Sequence, residues 1–267
     1  MPEIIYQFYG GVHPPQAKIS SQDAIVSAPL LERYVIPLQM HIGAPARLLV
    51  QKGNKVLRGQ MLADASAFVS APIHAPTSGL IKEVTTCLGV LGTQLPAVIL
   101  ESDGEDTPAE PLAPIPNWQD SAPADLLRRI GDAGIVGMGG AAFPTVIKLS
   151  PPPEKKIDTL IINGVECEPC LTADHRLMLE SPDKIIAGMQ ICARILGVKR
   201  ILLGIEKNKS DAVDLMRKKT QGTSIQVCAL DVRYPQGAEK QLIYTLTKRK
   251  VPTGGLRDHR EHLGRIL

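Results

Sequence analysis

Between Ile157 and Arg249 short apolar runs alternate with amphipathic segments, and this alternation restricts the fold more than any other feature of the chain. IDTLIIN (157–163), KRILLGIE (199–206) and SIQVCALDV (224–232) are too short and too uniformly apolar for surface helices, and they read as buried strands. Between and after them, SPDKIIAGMQICARILGV, KSDAVDLMRKKT and GAEKQLIYTLTKR carry helical periodicity, with Ser181 placed to cap and Pro182 suited to a first helical position. Strand, helix, strand, helix in this order predicts a parallel sheet flanked by helices, with ligands at the carboxyl ends of the strands.

The preceding sequence obeys a different rule. PADLLRRIGDAG (123–134) reads as an amphipathic helix, and before it ESDGEDTPAEPLAPIPNWQDSAP (101–123) holds five prolines and no apolar period, which suits a linker. From Met40 to Leu100, short apolar runs broken at KGN, RGQ and TSG predict a compact all-β unit with tight turns. LLVQKGNKVLRGQML and SAPIHAPTSGLIKEV resemble a barrel-sandwich hybrid, the fold of lipoyl and biotinyl carriers. A carrier displays a lysine at a hairpin tip, and Leu62 to Thr77 contains none, so the reading is a module that carries no cofactor on a lysine. The expected organisation is 1–100 β domain, 101–123 linker, 124–256 α/β domain and 257–267 divergent tail.

A net charge of +3, no long Lys/Arg run and 3% aromatic residues make nucleic acid an unsuitable partner. The acidic residue in MPEIIYQFYGGVHPP and its short apolar content do not suit an export signal, and the apolar stretch Ile185–Gly204 is broken by Arg194, Lys199 and Arg200. Five cysteines at irregular spacing suit a reducing compartment.

Three segments carry candidate chemistry. IVGMGGAAFPTVIKL (135–149) places Gly137, Gly139 and Gly140 before Lys148; bare backbone N–H groups there suit a phosphate cradle, and a plain tight turn suits the same residues. ECEPC (166–170) follows a strand directly. On extended backbone Glu166 and Glu168 point to one side and can bind a ligand's hydroxyl or amide groups, or simply form a solvated acidic loop. Cys167 and Cys170 form a C-x-x-C pair whose sole nearby third zinc ligand is His175, and the LTAD that follows shows no clear helix start for a dithiol site. RYPQGAEKQLIYTL (233–246) ends a third strand, with Glu239 and Lys240 opening a helix.

In this order GMGGAAFPTVIKL, INGVECEPCLTADHRLM and YPQGAEKQLIYTLT, together with GGVHPPQAK near the start, resemble the C subunit of the Rnf/Rsx ion-translocating ferredoxin:NAD oxidoreductase, from about residue 10 to Leu256. That protein is similar to the FMN- and NADH-binding subunit of respiratory complex I. The resemblance implies a Rossmann-like, complex I flavoprotein-type α/β domain behind a barrel-sandwich hybrid. It implies that Gly137, Gly139, Gly140, Lys148, Asn163 and Glu166 face FMN, that Phe143 stacks on a nicotinamide, and that Glu168, Gly237 and Glu239 lie at the dinucleotide. The resemblance further implies that hydride passes from NADH to flavin, with no residue acting as nucleophile or metal ligand. Implied partners are the other subunits of the membrane complex and a ferredoxin-type carrier, at the cytoplasmic side of the bacterial inner membrane. Met138, Ala142, Val165 and Cys170 depart from the residues usual in these families. After VPTGGL the family continues into a further β module and two sets of cysteines for 4Fe–4S clusters, whereas this sequence reads RDHREHLGRIL. The expectation is an N-terminal portion that holds no such cluster, acting either in flavin-linked electron transfer or as a non-catalytic assembly fragment, with a C-x-x-C zinc or redox protein as a third reading.

Overall fold

The computed structural model describes residues 4–138, 142–154, 156–251 and 265–266. By its internal contacts the chain divides into two units, Ser27–Ser150 and a second made of Met1–Val26 with Pro151–Leu267.

The first unit is mainly antiparallel β. Its strands are β1 (Arg33–Pro37), β2 (Arg47–Leu48), β3 (Lys55–Val56), β4 (Met61–Asp64), β5 (Ile73–His74), β6 (Gly79–Leu88) and β7 (Gln94–Ser102). They form one sheet in the order β1-β7-β6-β3 and another in the order β2-β4-β5. Between them lies a core of Ile36, Leu38, Val50, Val56, Leu62, Ile73, Ile81, Val98 and Leu100. The turn residues that split the sequence into short runs fall between these strands, so two small sheets face each other as the barrel-sandwich pattern requires. The helix expected at PADLLRRIGDAG forms as α1 (Pro123–Asp132), with its proline in the first turn, and a single turn α2 (Thr145–Lys148) follows. Both belong to the β unit: backbone at Gly134, φ +66°, runs so close to Pro72 that a Cβ would lie 2.5 Å from the Pro72 carbonyl oxygen.

The second unit is the parallel sheet. β8 (Thr159–Gly164), β9 (Arg200–Glu206) and β10 (Ile225–Leu230) run parallel, and Arg265–Ile266 (β11) pairs with Leu160–Ile161, giving the order β10-β9-β8-β11. The helices are α3 (Ala173–Glu180), α4 (Pro182–Leu196), α5 (Ser210–Lys219) and α6 (Glu239–Thr247). Alternation along β9 explains the layers. Ile201, Leu203 and Ile205 join Met189, Val213 and Met216 from α4 and α5, while Leu202 joins Leu242, Ile243 and Leu246 from α6 on the other face. Each such side chain, buried to within a few per cent, contributes about 1.5–3 kcal/mol. Pro182 opens α4 as expected and left-handed Gly197 closes it, but the Ser181 side chain makes no capping hydrogen bond.

The first residues of the chain complete this unit. Tyr6 forms a parallel bridge to Leu230 at the β10 edge, with Tyr6 N–H donating to Ala229 O and Asp231 N–H to Tyr6 O, both at 2.9 Å. Val12 and Tyr234 exchange two backbone hydrogen bonds of 2.8 Å, and Arg233 donates to the carbonyls of Phe8 and Gly10. Further on, Ile25 N–H donates to Glu180 Oε1 at the end of α3. This segment is therefore an arm laid along the α/β unit, although it lies within residues 1–100, which the sequence reading gave to the β domain.

Candidate functional site in the loops that end the parallel strands

In a parallel sheet the strand carboxyl ends face one crevice, and here the loops after β8 and β10 meet there. Asn163, near the end of β8, donates from Nδ2 to Gly237 O at 2.9 Å. From the other side Gly237 N–H donates to Cys167 Sγ at 3.3 Å. The two peptide groups that flank Gly237 in the third loop are thus each held by a side chain of the first. A Cβ at 237 would lie 3.3 Å from Cys167 Sγ, close enough that the thiol would have to give by a few tenths of an ångström, while Val165 Cβ at 3.5 Å would be an ordinary contact.

Within ECEPC the carboxylates do not share a side. Glu166 takes left-handed backbone, φ +54°, so the segment is not the extended run assumed from sequence. Its side chain is buried and Oε1 accepts from Asp174 N–H at 2.8 Å, which caps α3 from eight residues away. Oε2 is buried with no hydrogen-bond partner. Glu168 is exposed, as is Glu239 in the first turn of α6. The absence of a helix start after the C-x-x-C pair is corrected by α3, which begins at Ala173.

The thiols are placed apart. Cys167 is buried, and burial pushes its thiol pKa up, with Gly237 N–H opposing and the Glu168 and Glu206 charges adding to the rise. It is therefore not a ready thiolate. Cys170 is exposed, and His175 Nε2 is engaged at 2.8 Å with Asp211 Oδ1. Among the described residues no group of three or more His, Cys, Asp or Glu side chains gathers as a metal site would.

Two lysines that sequence reading did not single out support the loop. Lys209 is 2% exposed and its ammonium donates to Val165 O at 2.8 Å and to Glu206 Oε2 at 3.3 Å. Burial lowers the Lys209 pKa and raises that of Glu206, each held back by the other's charge. Lys18, from the arm, donates to the carbonyls of Glu166, Glu168 and Leu171 at 2.8, 2.8 and 2.7 Å. Lys18, Glu166, His175, Asn208, Lys209 and Asp211 are among the residues lining a polar cavity of about 340 Å³.

The glycine-rich segment belongs to the β unit. Gly137 N–H donates to Phe143 O and Thr145 N–H to Ile135 O, both at 2.9 Å, closing a tight loop before α2. A Cβ at Gly137 would lie 3.1 Å from Lys148 Nζ, so the ammonium rests close to the glycine backbone, whose own N–H is already given to Phe143 O. Phe143 is half-buried and Met138 exposed. Gly139 and Gly140 lie outside the described residues, as do residues 257–264 of the tail.

A small two-sheet β unit and a parallel α/β unit with its loops at the strand carboxyl ends define a two-part class whose α/β part offers a ligand-binding edge. Residues 6–105 match the RnfC barrel sandwich hybrid domain, and residues 130–264 match the Nuo51 FMN-binding domain. The chain belongs to the family of RnfC-type subunits. It is 46% identical over 254 residues to the C subunit of the proton-translocating ferredoxin:NAD(+) oxidoreductase complex of Clostridium ljungdahlii, covering 95% of this chain and 56% of that one. It is 41% identical to the Na(+)-translocating counterpart of Acetobacterium woodii, over 93% of this chain and 57% of the relative. For the C subunit of the ion-translocating oxidoreductase complex of Pseudomonas aeruginosa the values are 42%, 94% and 33%. The chain thus spans between a third and somewhat over half the length of these relatives. No helix among the described residues is long and apolar enough to cross a membrane.

Proposed function

We propose that the α/β unit binds FMN at the loops ending β8 and β10 and serves NADH-linked electron transfer, as the C subunit of an ion-translocating ferredoxin:NAD oxidoreductase complex. The observation that carries this reading is the pair of backbone groups of Gly237, its C=O held by Asn163 and its N–H by Cys167, which joins two loops into one rim at the ligand-binding edge of a parallel sheet. Support for a ligand comes from Glu166 Oε2, a buried acceptor without a donor that a flavin or ribityl N–H or O–H would satisfy after a small shift. Glu168 and Glu239, exposed at the two loops, accept hydrogen bonds from dinucleotide hydroxyl or amide groups. For Gly137, Gly139, Gly140 and Lys148 a role at the phosphate, and for Phe143 a role at the nicotinamide, follow from the resemblance alone.

FMN, when bound, would supply a hydride acceptor that releases electrons singly. The residues' share is orientation and electrostatics: buried Glu166 and the two held backbone groups of Gly237 fix the rim, and no side chain has to donate or take a proton. The partners are NAD(H), the other members of the complex and a ferredoxin-type carrier, with attachment to the cytoplasmic face of the membrane through those other members. Titration of the purified chain with FMN, read by quenching of flavin fluorescence, tests the binding. Uptake of one FMN per chain, weakened at least about tenfold in Asn163→Ala, is expected, that factor corresponding to one lost polar contact. A folded, colourless protein that leaves FMN fluorescence unchanged would support the assembly-fragment reading instead.

A further inference from the structure

The loop that carries both glutamates is held in an unfavourable shape. Glu166 and Cys170, neither of them glycine, adopt left-handed backbone with φ of +54° and +69°. Such conformations persist only where the surroundings impose them. The loop also turns the carbonyls of Glu166, Glu168 and Leu171 toward one point, where three oxygen dipoles repel one another unless a cation sits among them.

That cation is Lys18. An ammonium has three donors, and all three are taken by these carbonyls, at 2.8, 2.8 and 2.7 Å. Neighbouring arm residues fix its approach: Gln16 O accepts from Cys170 N–H at 2.9 Å, and Ser20 Oγ and Thr172 Oγ1 lie 2.8 Å apart. Lys209 holds Val165 O on the buried side, so the loop is fixed from both directions. We infer that Lys18 is a positioning residue, whose ammonium serves as a built-in monovalent cation that imposes the conformation of the Glu166–Leu171 loop. Its consequence for ligand affinity rests on the flavin reading above, while its role in shaping the loop does not.

Cys167 reports the loop conformation, because its thiol is buried against Gly237, and Cys228, buried in the sheet at 1% exposure, reports the fold of the whole unit. The test measures alkylation of each cysteine by iodoacetamide, residue by residue by mass spectrometry, in the full chain carrying Lys18→Met or Lys18→Ala, alongside FMN titration. Loss of a charged donor to three carbonyls should speed Cys167 alkylation at least about tenfold in both variants, with Cys228 still protected. Propylammonium added to Lys18→Ala should restore protection, and potassium should do so in part. Unchanged Cys167 protection in Lys18→Met overturns the proposal. So does faster alkylation that propylammonium fails to reverse, which assigns the effect to lost side-chain packing, and so does parallel loss of protection at Cys228. Where the unsubstituted chain binds FMN, Lys18→Met should weaken it about tenfold. Failure of the unsubstituted chain to bind FMN, with Cys167 exposed and rescued as described, removes the flavin reading and leaves the role of Lys18 standing.

Discussion

Replacing Lys209 with methionine keeps the stem that fills the space under the ECEPC loop and deletes the ammonium at its end. In the native chain that ammonium meets Val165 O and Glu206 Oε2, and Glu206, 1% exposed, has no partner for its other oxygen. Once Lys209 is gone, the buried carboxylate keeps only the Arg233 backbone N–H and the weaker pull of the Lys18 charge, a defect that costs about 3–5 kcal/mol. With a urea dependence of about 2 kcal/mol per molar, the unfolding midpoint of the α/β unit should fall by about 1.5–2.5 M. Circular dichroism and amide exchange along β9 both follow that transition. The sign of the pH effect is fixed by Glu206. Burial already raises its folded pKa, and losing the lysine removes the largest influence that held it down. A carboxyl whose folded pKa is raised carries its full penalty above that pKa and sheds it as pH falls toward its unfolded value of about 4.3. The cost of Lys209→Met should therefore shrink from pH 8 to pH 5. A double variant, Glu206→Leu with Lys209→Met, should recover most of the loss, because two apolar groups leave no charge behind. A midpoint shift below about 0.5 M, or a cost equal at both pH values, would refute the reasoning.

The junction between the loops gives a second test: Gly237→Ala should cost about 1 kcal/mol by crowding Cys167 Sγ, and it should weaken FMN in the same titration. A neutral effect in thermal melting would show a looser rim. In the sheet, Leu203→Ala should cost about 2–5 kcal/mol, since Leu203 is 1% exposed between α4 and α5 neighbours. Burial would raise the Asp231 carboxyl, but hydrogen bonds and charge from Lys207 and Arg233 outweigh it and hold the pKa at about 2. Its folded pKa is depressed, so its contribution is present above the unfolded value and disappears as pH falls toward 2. Acid titration of Asp231→Asn should show a flatter loss of stability across that window than the native chain.

Three strands of the parallel sheet, β8, β9 and β10, were legible because each is an apolar run that no surface helix would tolerate, and α4, α5 and α6 were legible from their stripes; the short β11 in the tail carried no such signal. What sequence reading missed was held by long-range polar contacts. The α3 start has no capping side chain at Thr172; its cap is the carboxylate of Glu166. For the same reason Glu166 and Glu168 were placed on one side of an extended segment, whereas a left-handed turn buries one and exposes the other. GGVHPPQAK has no period at all, and its place along the α/β unit comes from backbone pairing with Tyr234 and from Lys18, contacts separated by more than a hundred residues. Lys209 looked like an ordinary helix-start residue in KSDAVDLMRKKT. Nothing local signals that the strand before it ends in a buried glutamate facing it.

Hydrogen–deuterium exchange of the full chain with and without saturating FMN addresses the central claim most directly, because it reads both binding and location. Within the α/β unit, slower exchange is expected mainly at residues 163–171 and 236–240, with the strand interiors of β9 unchanged. No difference in those two segments at FMN concentrations that saturate fluorescence quenching would contradict a flavin site at the loops ending β8 and β10.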